Sequence, residues 1–154
     1  MMQKFLVRKA IQKDAAAIAT IYLASRKAFV AFAPLAHSDK NIHEWICTTL
    51  IPTDQVFVVE ENGEVVGMMA LSKKENIGWI DQLYLSPAVV GRGIGELLIA
   101  TAKSILGSPI RLYTFQENTR AKRFYEKHGF QVLTMSDGSA NEEKCPDILY
   151  EWRL

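Results

Sequence analysis

Residues 78–106 read GWIDQLYLSPAVVGRGIGELLIATAKSIL, and this stretch decides the fold. The run from Gly78 to Leu85 predicts a β-strand that ends at Ser86-Pro87. A glycine-rich turn, Gly91 to Gly95, follows and leads into a predicted helix, Glu96 to Leu106. Apolar side chains at helical spacing predict the buried face of that helix, namely Leu97, Leu98, Thr101, Ile105 and Leu106.

The elements on either side of this stretch predict the rest of the sheet. Gly107 and Pro109 end the helix, and Ile110 to Phe115 is the next strand, so this part of the chain predicts a parallel crossover. The other predicted strands are Phe5 to Ala10, Gln55 to Glu61, Glu64 to Leu71, Phe130 to Met135 and Ile148 to Trp152. The other predicted helices are Ala15 to Phe29 with Asp14 as N-cap, Ser38 or Asp39 to Leu50 with Pro52 as its stop, and Thr119 to His128. Hairpins around one parallel pair predict a mixed, mostly antiparallel α/β sheet.

The composition is that of an ordinary folded domain. The chain has 154 residues, 49% of them hydrophobic and 23% charged, which suffices to enclose a core and argues against disorder. A formal net charge of +1 provides no broad electrostatic field for nucleic acid or an anionic membrane. No linker-like segment divides the sequence, so we expect a single domain over residues 1–154.

The sequence carries no targeting or metal-binding signal. Its first residues are too short an apolar run for a signal peptide, and no stretch of about 18 apolar residues predicts a membrane span. Cys47 and Cys145 lack a CxxC partner, and His37 and His43 lack a third ligand, so no metal site is predicted. We therefore expect a cytoplasmic protein with two free thiols and without nucleic acid or membrane partners.

The glycine turn, GRGIG at residues 91–95, suits an anionic ligand. Glycines let the backbone approach a ligand closely, and the unpaired N–H groups of the following helix add donors for a phosphate. Arg92 adds a positive charge. Glu96 occupies the place of the third glycine in a dinucleotide fingerprint, and the Gly-Lys-Ser/Thr of a Walker loop is missing. The alternative is a structural turn in which the glycines only permit positive φ angles.

Three motifs together resemble the GNAT acetyltransferase superfamily, and the resemblance covers essentially the whole chain. Ile80 to Pro87 is similar to the fourth strand of the family. Val90 to Gly95 is similar to its Gln/Arg-x-x-Gly-x-Gly/Ala pyrophosphate loop, although Val90 stands where Gln or Arg is usual. Asn118 to Tyr125 is similar to its Asn-x-x-Ala-x-x-Phe-Tyr helix and is followed by the usual Gly-Phe at residues 129 and 130.

This resemblance implies a GNAT-like sheet with a splayed central strand pair, and an enzyme that uses acetyl-CoA as cosubstrate. In the family, the strand matching Ile80 to Leu85 separates from the strand matching Ile110 to Phe115. The pantetheine arm pairs with the exposed strand edge, and the thioester carbonyl faces an amide near Leu83. The implied cofactor-binding residues are Leu83, Tyr84, Leu85, Val90, Gly91, Arg92, Gly93, Ile94, Gly95, Glu96, Asn118, Ala121 and Phe124.

The resemblance also implies direct transfer of the acetyl group to a primary amine. Tyr125 matches the tyrosine that protonates the departing CoA thiolate, and the alternative is a tyrosine that only packs its ring in the core. An alkylamine with a pKa near about 10 is neutral in only about one part in a thousand at pH 7, so a base would help. Asp81 is the preferred base, with a solvated or substrate-orienting acid or a water chain as alternatives, and Glu142 and Glu143 are weaker candidates.

The acceptor site is implied between the loop at residues 29–38 and the loop before the last strand. The predicted substrate-binding residues are Phe29, Phe32, Tyr84 and Glu142, with Trp45 as a further aromatic, and ordinary core packing is the alternative. A small-molecule amine is the favoured acceptor, with a protein N-terminus or lysine as the alternative. Relatives are frequently dimers, so the resemblance allows a homodimer. A non-catalytic CoA-binding regulatory module and a mononucleotide-binding domain are the competing functions.

Overall fold

Seven apolar segments form one sheet in the computed structural model, which describes residues 5–154. The strands are β1 (Phe5–Lys9), β2 (Gln55–Glu61), β3 (Glu64–Lys74), β4 (Ile77–Leu85), β5 (Ile110–Phe115), β6 (Gln131–Ser136) and β7 (Asp147–Trp152). Their order across the sheet is β1-β2-β3-β4-β5-β7-β6. Neighbouring strands are antiparallel except for the parallel pair β4 and β5. The predicted mixed sheet with one parallel pair is therefore confirmed.

Five α-helical segments cover the two faces of the sheet. They are α1 (Ala15–Phe29), α2 (Asp39–Trp45), α3 (Ile51–Thr53), α4 (Ile94–Leu106) and α5 (Thr119–Lys127). A π-helical turn, Ile46–Leu50, joins α2 to α3, so the helical stretch continues past the predicted stop at Pro52. A proline has no N–H to donate, and the hydrogen-bond pattern shifts in the turn just before it.

Alternating side chains of the strands pack into two separate hydrophobic cores. On β3, Met69 and Leu71 pack toward α4 and α5, whereas Met68 and Ala70 pack toward α1 and α2. Successive residues of a strand point to opposite faces, so the sheet separates these two helical layers. A ligand that contacts both layers has to cross the sheet.

Helix α4 differs from its prediction in both its start and its buried face. It begins at Ile94, two residues earlier than expected, because Gly93 already acts as its N-cap. The side chains that pack into the core are Ile94, Leu98, Ile99, Ala102 and Leu106. Leu97 and Ile105, which were expected to be buried, are 36% and 40% exposed. Both belong to a neighbouring stripe of the helix that the sheet does not cover.

The predicted caps of the first two helices have different outcomes. Ser38 caps α2, since its hydroxyl accepts a hydrogen bond from the Asn41 amide at 3.2 Å. Asp14 makes no side-chain hydrogen bond to α1. Its carboxylate accepts instead from the Ile11 amide at 2.8 Å and from Arg8 at 2.8 and 2.9 Å. The Arg8 hydrogen bonds lower the pKa of Asp14 and fasten the start of α1 to β1.

Candidate active site at the gap between two strands

Strands β4 and β5 pair only where they begin. Gly78 lies opposite Ile110 and Trp79 opposite Arg111, and within residues 5–154 the pairing of the two strands extends no further. β4 stays paired with β3 as far as Leu85, and β5 stays paired with β7 as far as Phe115. Each strand follows its outer neighbour, so a gap opens between them. This gap is the separation of the two central strands that the resemblance to the GNAT superfamily implied.

Backbone groups of β4 face the gap. In an antiparallel pair, successive residues direct their N–H and C=O groups to opposite sides. The Ser86 amide donates to the Val66 carbonyl at 2.8 Å, beside the paired end of β3. Because this direction alternates from residue to residue, the backbone groups of Tyr84 face β3. Those of Leu83 and Leu85 face β5. Both leucines thus present backbone donors and acceptors where β5 has moved away.

A cavity of about 490 Å³ lies at this gap and connects the two faces of the sheet. Its walls include Arg26 and Phe29 from α1 on one face. They also include Gly95, Phe124 and Tyr125 from α4 and α5 on the other face. The two helical layers lie on opposite sides of the sheet, so this lining requires an opening through it. Two ligands that enter from opposite faces can therefore meet inside the cavity.

The glycine turn places free amides beside this cavity. Gly91 and Gly93 have φ angles of 85° and 88°, in the left-handed region that glycine adopts without strain. The first main-chain hydrogen bond of α4 runs from the Leu97 amide to the Gly93 carbonyl at 3.2 Å, and no side chain caps the helix. The preceding amides are therefore unpaired within the helix. A Cβ atom added at either glycine would meet nothing within 4 Å, so the turn faces open space.

Helix α5 packs directly against this turn. A Cβ atom at Gly95 would lie 2.9 Å from Cζ of Phe124, so only glycine permits this approach. Asn118 caps α5, and its Oδ1 accepts a hydrogen bond from the Ala121 amide at 3.2 Å. The residues of the predicted cofactor site that line the cavity are Leu83, Tyr84, Leu85, Val90, Gly91, Gly93, Gly95, Glu96, Asn118, Ala121 and Phe124.

The side chains of two predicted cofactor residues lie elsewhere. The Arg92 guanidinium donates to Glu61, with Nη1 to Oε1 at 3.0 Å, and it covers the Phe5 ring at 5.3 Å. The Arg92 guanidinium, which was expected to lie at the ligand, is thus paired with the Glu61 carboxylate at the end of β2. Ile94 is fully buried in the core, and neither residue lines the cavity. Arg120 and Lys127 are cationic residues that do line it.

Tyr125 lies in the cavity wall on the α5 side. It is 8% exposed, and the rings of Phe124 and Phe130 pack edge-on against it at 5.3 and 5.7 Å between centroids. Burial raises the pKa of its phenol to about 12, so the hydroxyl stays protonated at neutral pH. The neighbouring Tyr150 is also buried, but its hydroxyl donates to Glu126 at 2.7 Å and it is not part of the cavity lining.

Asp81 lies at a bulge of β4 and has a carboxyl neighbour that the sequence did not reveal. Its neighbours Ile80 and Gln82 pair with successive residues of β3, which leaves Asp81 as the extra residue. Asp81 is exposed and lines the cavity. Burial, followed by a hydrogen bond and charge repulsion from Asp81, raises the pKa of Asp54 to about 7. The Asp54 carboxyl is therefore partly protonated near neutral pH.

The predicted acceptor residues separate into two groups. Phe29 and Tyr84 line the cavity, and the Arg120 guanidinium lies 4.3 Å from the centre of the Phe29 ring. Phe32 and Glu142 do not line it. Phe32 packs edge-on against Phe115 at 6.0 Å, and Glu142 is 63% exposed and binds His37 at 2.8 Å. That hydrogen bond nevertheless joins the two loops that were expected to border the acceptor site.

Arg26 is a cavity residue that the sequence reasoning missed. It is 5% exposed and follows Ile18 and Tyr22 at steps of four residues along α1. Ile18 is buried and Tyr22 is half-buried against the same core, and residues four apart share one face of a helix. The same spacing therefore contained the signal for Arg26. An arginine at the end of an apolar stripe is more often solvent-exposed, so the spacing alone did not lead to the prediction of a buried arginine.

Neither cysteine takes part in the cavity lining. The Cys47 thiol donates to Gln12 Oε1 at 2.9 Å, and the Cys145 thiol lies 3.9 Å from the Phe32 carbonyl oxygen. Over residues 5–154, His, Cys, Asp and Glu side chains form no group of three that could hold a metal ion. In the part of the chain that the structure describes, each helix is too short or too polar to cross a membrane.

Comparison with known families identifies one match over most of the chain. Residues 14–130 match the model of the acetyltransferase (GNAT) family. A relative from Salmonella typhimurium, named peptidyl-lysine N-acetyltransferase YjaB, is 32% identical over 95 residues, or 61% of this chain. The matched part spans 62% of that relative's length. An uncharacterized N-acetyltransferase from Archaeoglobus fulgidus is 28% identical over 148 residues, which cover 88% of this chain and 99% of the relative.

Solved structures share the fold from end to end. Apo-form YjaB from Escherichia coli superposes with a TM-score of 0.78 at 22% identity, over 97% of both chains. The PaiA N-acetyltransferase from Thermoplasma acidophilum, solved in complex with coenzyme A, gives a TM-score of 0.77 at 21% identity, over 98% of this chain and 99% of that one. At these identities the likeness establishes the architecture.

Proposed function

This chain belongs to the GNAT acetyltransferase family and is an acyltransferase, and from that premise we propose that it moves an acetyl group from acetyl-CoA directly to a primary amine. The favoured acceptor is a small molecule. The observation that carries the proposal is the cavity between β4 and β5, with unpaired helix amides on one face and aromatic and cationic side chains on the other. We further propose that residues 1–154 act as one acetyltransferase domain.

The residues around the gap fit the two ends of acetyl-CoA. The turn at Gly91 and Gly93, with the first amides of α4, would hold the diphosphate, because helix N-termini favour anions. The backbone groups of Leu83 and Leu85 would pair with the amides of the pantetheine arm. Bound there, acetyl-CoA would supply the acetyl group as an activated thioester at the opening through the sheet.

Three groups of the chain would then serve the transfer. The Leu83 amide would donate a hydrogen bond to the oxygen that gains negative charge. Asp81 would accept the proton that the amine loses, with its partner Asp54 close by. Tyr125 would donate its proton to the departing sulfur, since its raised pKa keeps the hydroxyl protonated.

Direct transfer is favoured over an acyl-enzyme on a cysteine. Among residues 5–154, the cavity lining contains neither Cys47 nor Cys145. The cavity is open to both faces of the sheet, so the donor and the acceptor can be bound at the same time. Proximity then replaces covalent catalysis as the source of rate enhancement.

A lysine side chain of a protein is the second candidate acceptor. The relative from Salmonella typhimurium supports it by its name, peptidyl-lysine N-acetyltransferase. That match covers 61% of this chain and 62% of the relative. A lysine side chain is long and thin enough to enter through the same opening.

A thiol-release assay with acetyl-CoA tests the proposal. The panel contains free amino acids, polyamines, aromatic amines and lysine-containing peptides, and CoA binding is measured in parallel by calorimetry. We expect CoA to bind and at least one amine class to give acetylated product with stoichiometric thiol. Binding of CoA without turnover on any amine would favour the regulatory module instead. Failure to bind CoA would contradict both the acetyltransferase and the regulatory module.

A further inference from the structure

Arg26 is a buried cation inside the cavity, on the face opposite the glycine turn. It is 5% exposed and lines the cavity next to Phe29 and Tyr84. Its guanidinium carbon lies 6.0 Å from the Tyr22 ring centre and 5.6 Å from the Phe115 ring centre. The charge is therefore enclosed by aromatic rings rather than by water.

Two donors of this guanidinium are not matched by the residues that the structure describes. Within residues 5–154, Nε and Nη2 are shielded from solvent and have no hydrogen-bond partner. The nearest acid is Glu143, whose Oε2 lies 3.9 Å from Nη2, which is beyond hydrogen-bond distance. Tyr84 also faces Arg26, and the guanidinium partly offsets the burial that raises the pKa of that phenol. Enclosed N–H groups without acceptors cost free energy, so the site lacks a ligand group.

The two unmatched donors have the geometry of a carboxylate site. Nε and Nη2 lie on one edge of the planar guanidinium and direct parallel N–H bonds, which a carboxylate accepts with both oxygens. Arg26 stands on the α1 face, whereas the amides for the diphosphate stand on the α4 face. The missing anion thus belongs to the acceptor rather than to the phosphates of CoA.

We propose that the acceptor is an amine that also carries a carboxylate, such as a free amino acid, and that Arg26 binds this carboxylate in place of Glu143. This inference rests on the proposed acetyltransferase function. Glu143 is on the loop between β6 and β7 and its side chain is 22% exposed, so it can turn toward solvent. Polyamines and internal lysine residues of proteins bring no carboxylate at this position and leave the donors unmatched.

The test compares each amino acid with the amine that lacks only its carboxylate. The pairs are leucine and isoamylamine, phenylalanine and phenethylamine, and lysine and cadaverine, together with a lysine-containing peptide. In wild-type protein we expect kcat/KM for at least one amino acid to exceed that of its matched amine at least about tenfold, as expected for a charged hydrogen-bonded pair. R26Q should reduce that ratio to about one. R26K should restore little of the preference for the amino acid, because a lysine ammonium lacks the planar pair of donors that binds both carboxylate oxygens.

Two controls separate acceptor binding from folding. Affinity for CoA, measured by calorimetry, should stay within about twofold of wild type in R26Q and R26K, because the glycine turn is on the other face. E143Q removes the competing carboxylate and should lower KM for the preferred amino acid.

Four results would overturn the inference. Equal rates for amino acids and matched amines, or turnover of the peptide alone, would leave the acetyltransferase proposal standing without it. An unchanged preference in R26Q, with equal losses of thermal stability in R26Q and E143Q, would mean that Arg26 only fastens α1 to the β6–β7 loop. CoA binding without turnover on any amine would remove the proposed function itself.

Discussion

Two buried tyrosines on neighbouring elements differ in what their hydroxyl groups can reach. The Tyr150 hydroxyl donates a hydrogen bond to Glu126. Tyr125 lies in the cavity wall, and burial keeps its phenol protonated. Their rings are 6.2 Å apart, so both belong to one core. The difference between them is their access to the gap, which makes Tyr150 a matched control for Tyr125.

We expect Tyr125→Phe to lower kcat at least about tenfold through the loss of a general acid, while CoA affinity stays near the wild-type value. The phenol would protonate the departing sulfur, and phenylalanine keeps the ring packing without the proton. Tyr150→Phe should keep kcat within about twofold, because its hydroxyl stabilises only Glu126. Steady-state thiol release and calorimetry measure both parameters. Equal turnover in Tyr125→Phe and wild type would remove Tyr125 from its proposed role.

The Asp54 and Asp81 pair gives the fold a pH dependence. The pKa of Asp54 rises from 3.8 to about 7 on folding, so between these values the folded state holds a proton that the unfolded state releases. Stability from this group is complete below the unfolded pKa and is lost as the pH rises through 7. Asp54→Asn replaces the carboxyl by a neutral amide and removes this loss.

We therefore expect Asp54→Asn to raise Tm relative to wild type more at pH 8.5 than at pH 5. Thermal unfolding at the two pH values measures the difference. A shift of the same size at both pH values would show that Asp54 does not hold a proton in the folded state near neutrality. Asp81→Asn should weaken the pH dependence as well, because it removes the repelling neighbour.

At the scale of elements, the start of α4 and the edge of β4 define the proposed donor site. Both depend on short-range features: a glycine cap at Gly93 with a φ angle of 88°, and a strand whose partner turns away after Trp79. The glycine turn is therefore sensitive to any side chain that changes its backbone. The hairpin glycine Gly63 provides a control, since it has a φ angle of 81°, open space around it and no place in the cavity lining.

We expect Gly93→Val to weaken CoA binding at least about tenfold, because a β-branched residue is strained at positive φ and the amides would lose their direction. Gly63→Val places the same strain in the β2–β3 turn and should lower Tm while CoA affinity stays within about twofold. Calorimetry with CoA and thermal unfolding separate the two effects. Wild-type affinity in Gly93→Val would contradict the assignment of the turn.

Much of the fold could be predicted from the sequence because its signals are local. The span of α1 and the strands Gln55–Glu61 and Ile110–Phe115 match their predicted bounds. The bulge at Asp81, the pairing of Arg92 with Glu61 and the burial of Arg26 were not predicted. Each depends on contacts between residues distant in sequence or on register between strands, which a periodic pattern along one segment does not contain.

At the scale of the whole molecule, the sheet separates the two proposed ligand sites and the gap joins them. The α4 and α5 layer provides amides and Tyr125, and the α1 layer provides Arg26, Phe29 and the ring pair of Tyr22 and Tyr84 at 4.8 Å. A donor and an acceptor held on opposite faces can react only where the strands have parted. The gap must therefore stay open when the donor binds.

A crystal structure of the chain with CoA bound tests this requirement most directly. We expect the diphosphate on the amides at the start of α4, and the sulfur in the gap beside Leu83 with the Tyr125 hydroxyl facing it. CoA bound away from this turn, or a gap between β4 and β5 filled by side chains, would contradict it.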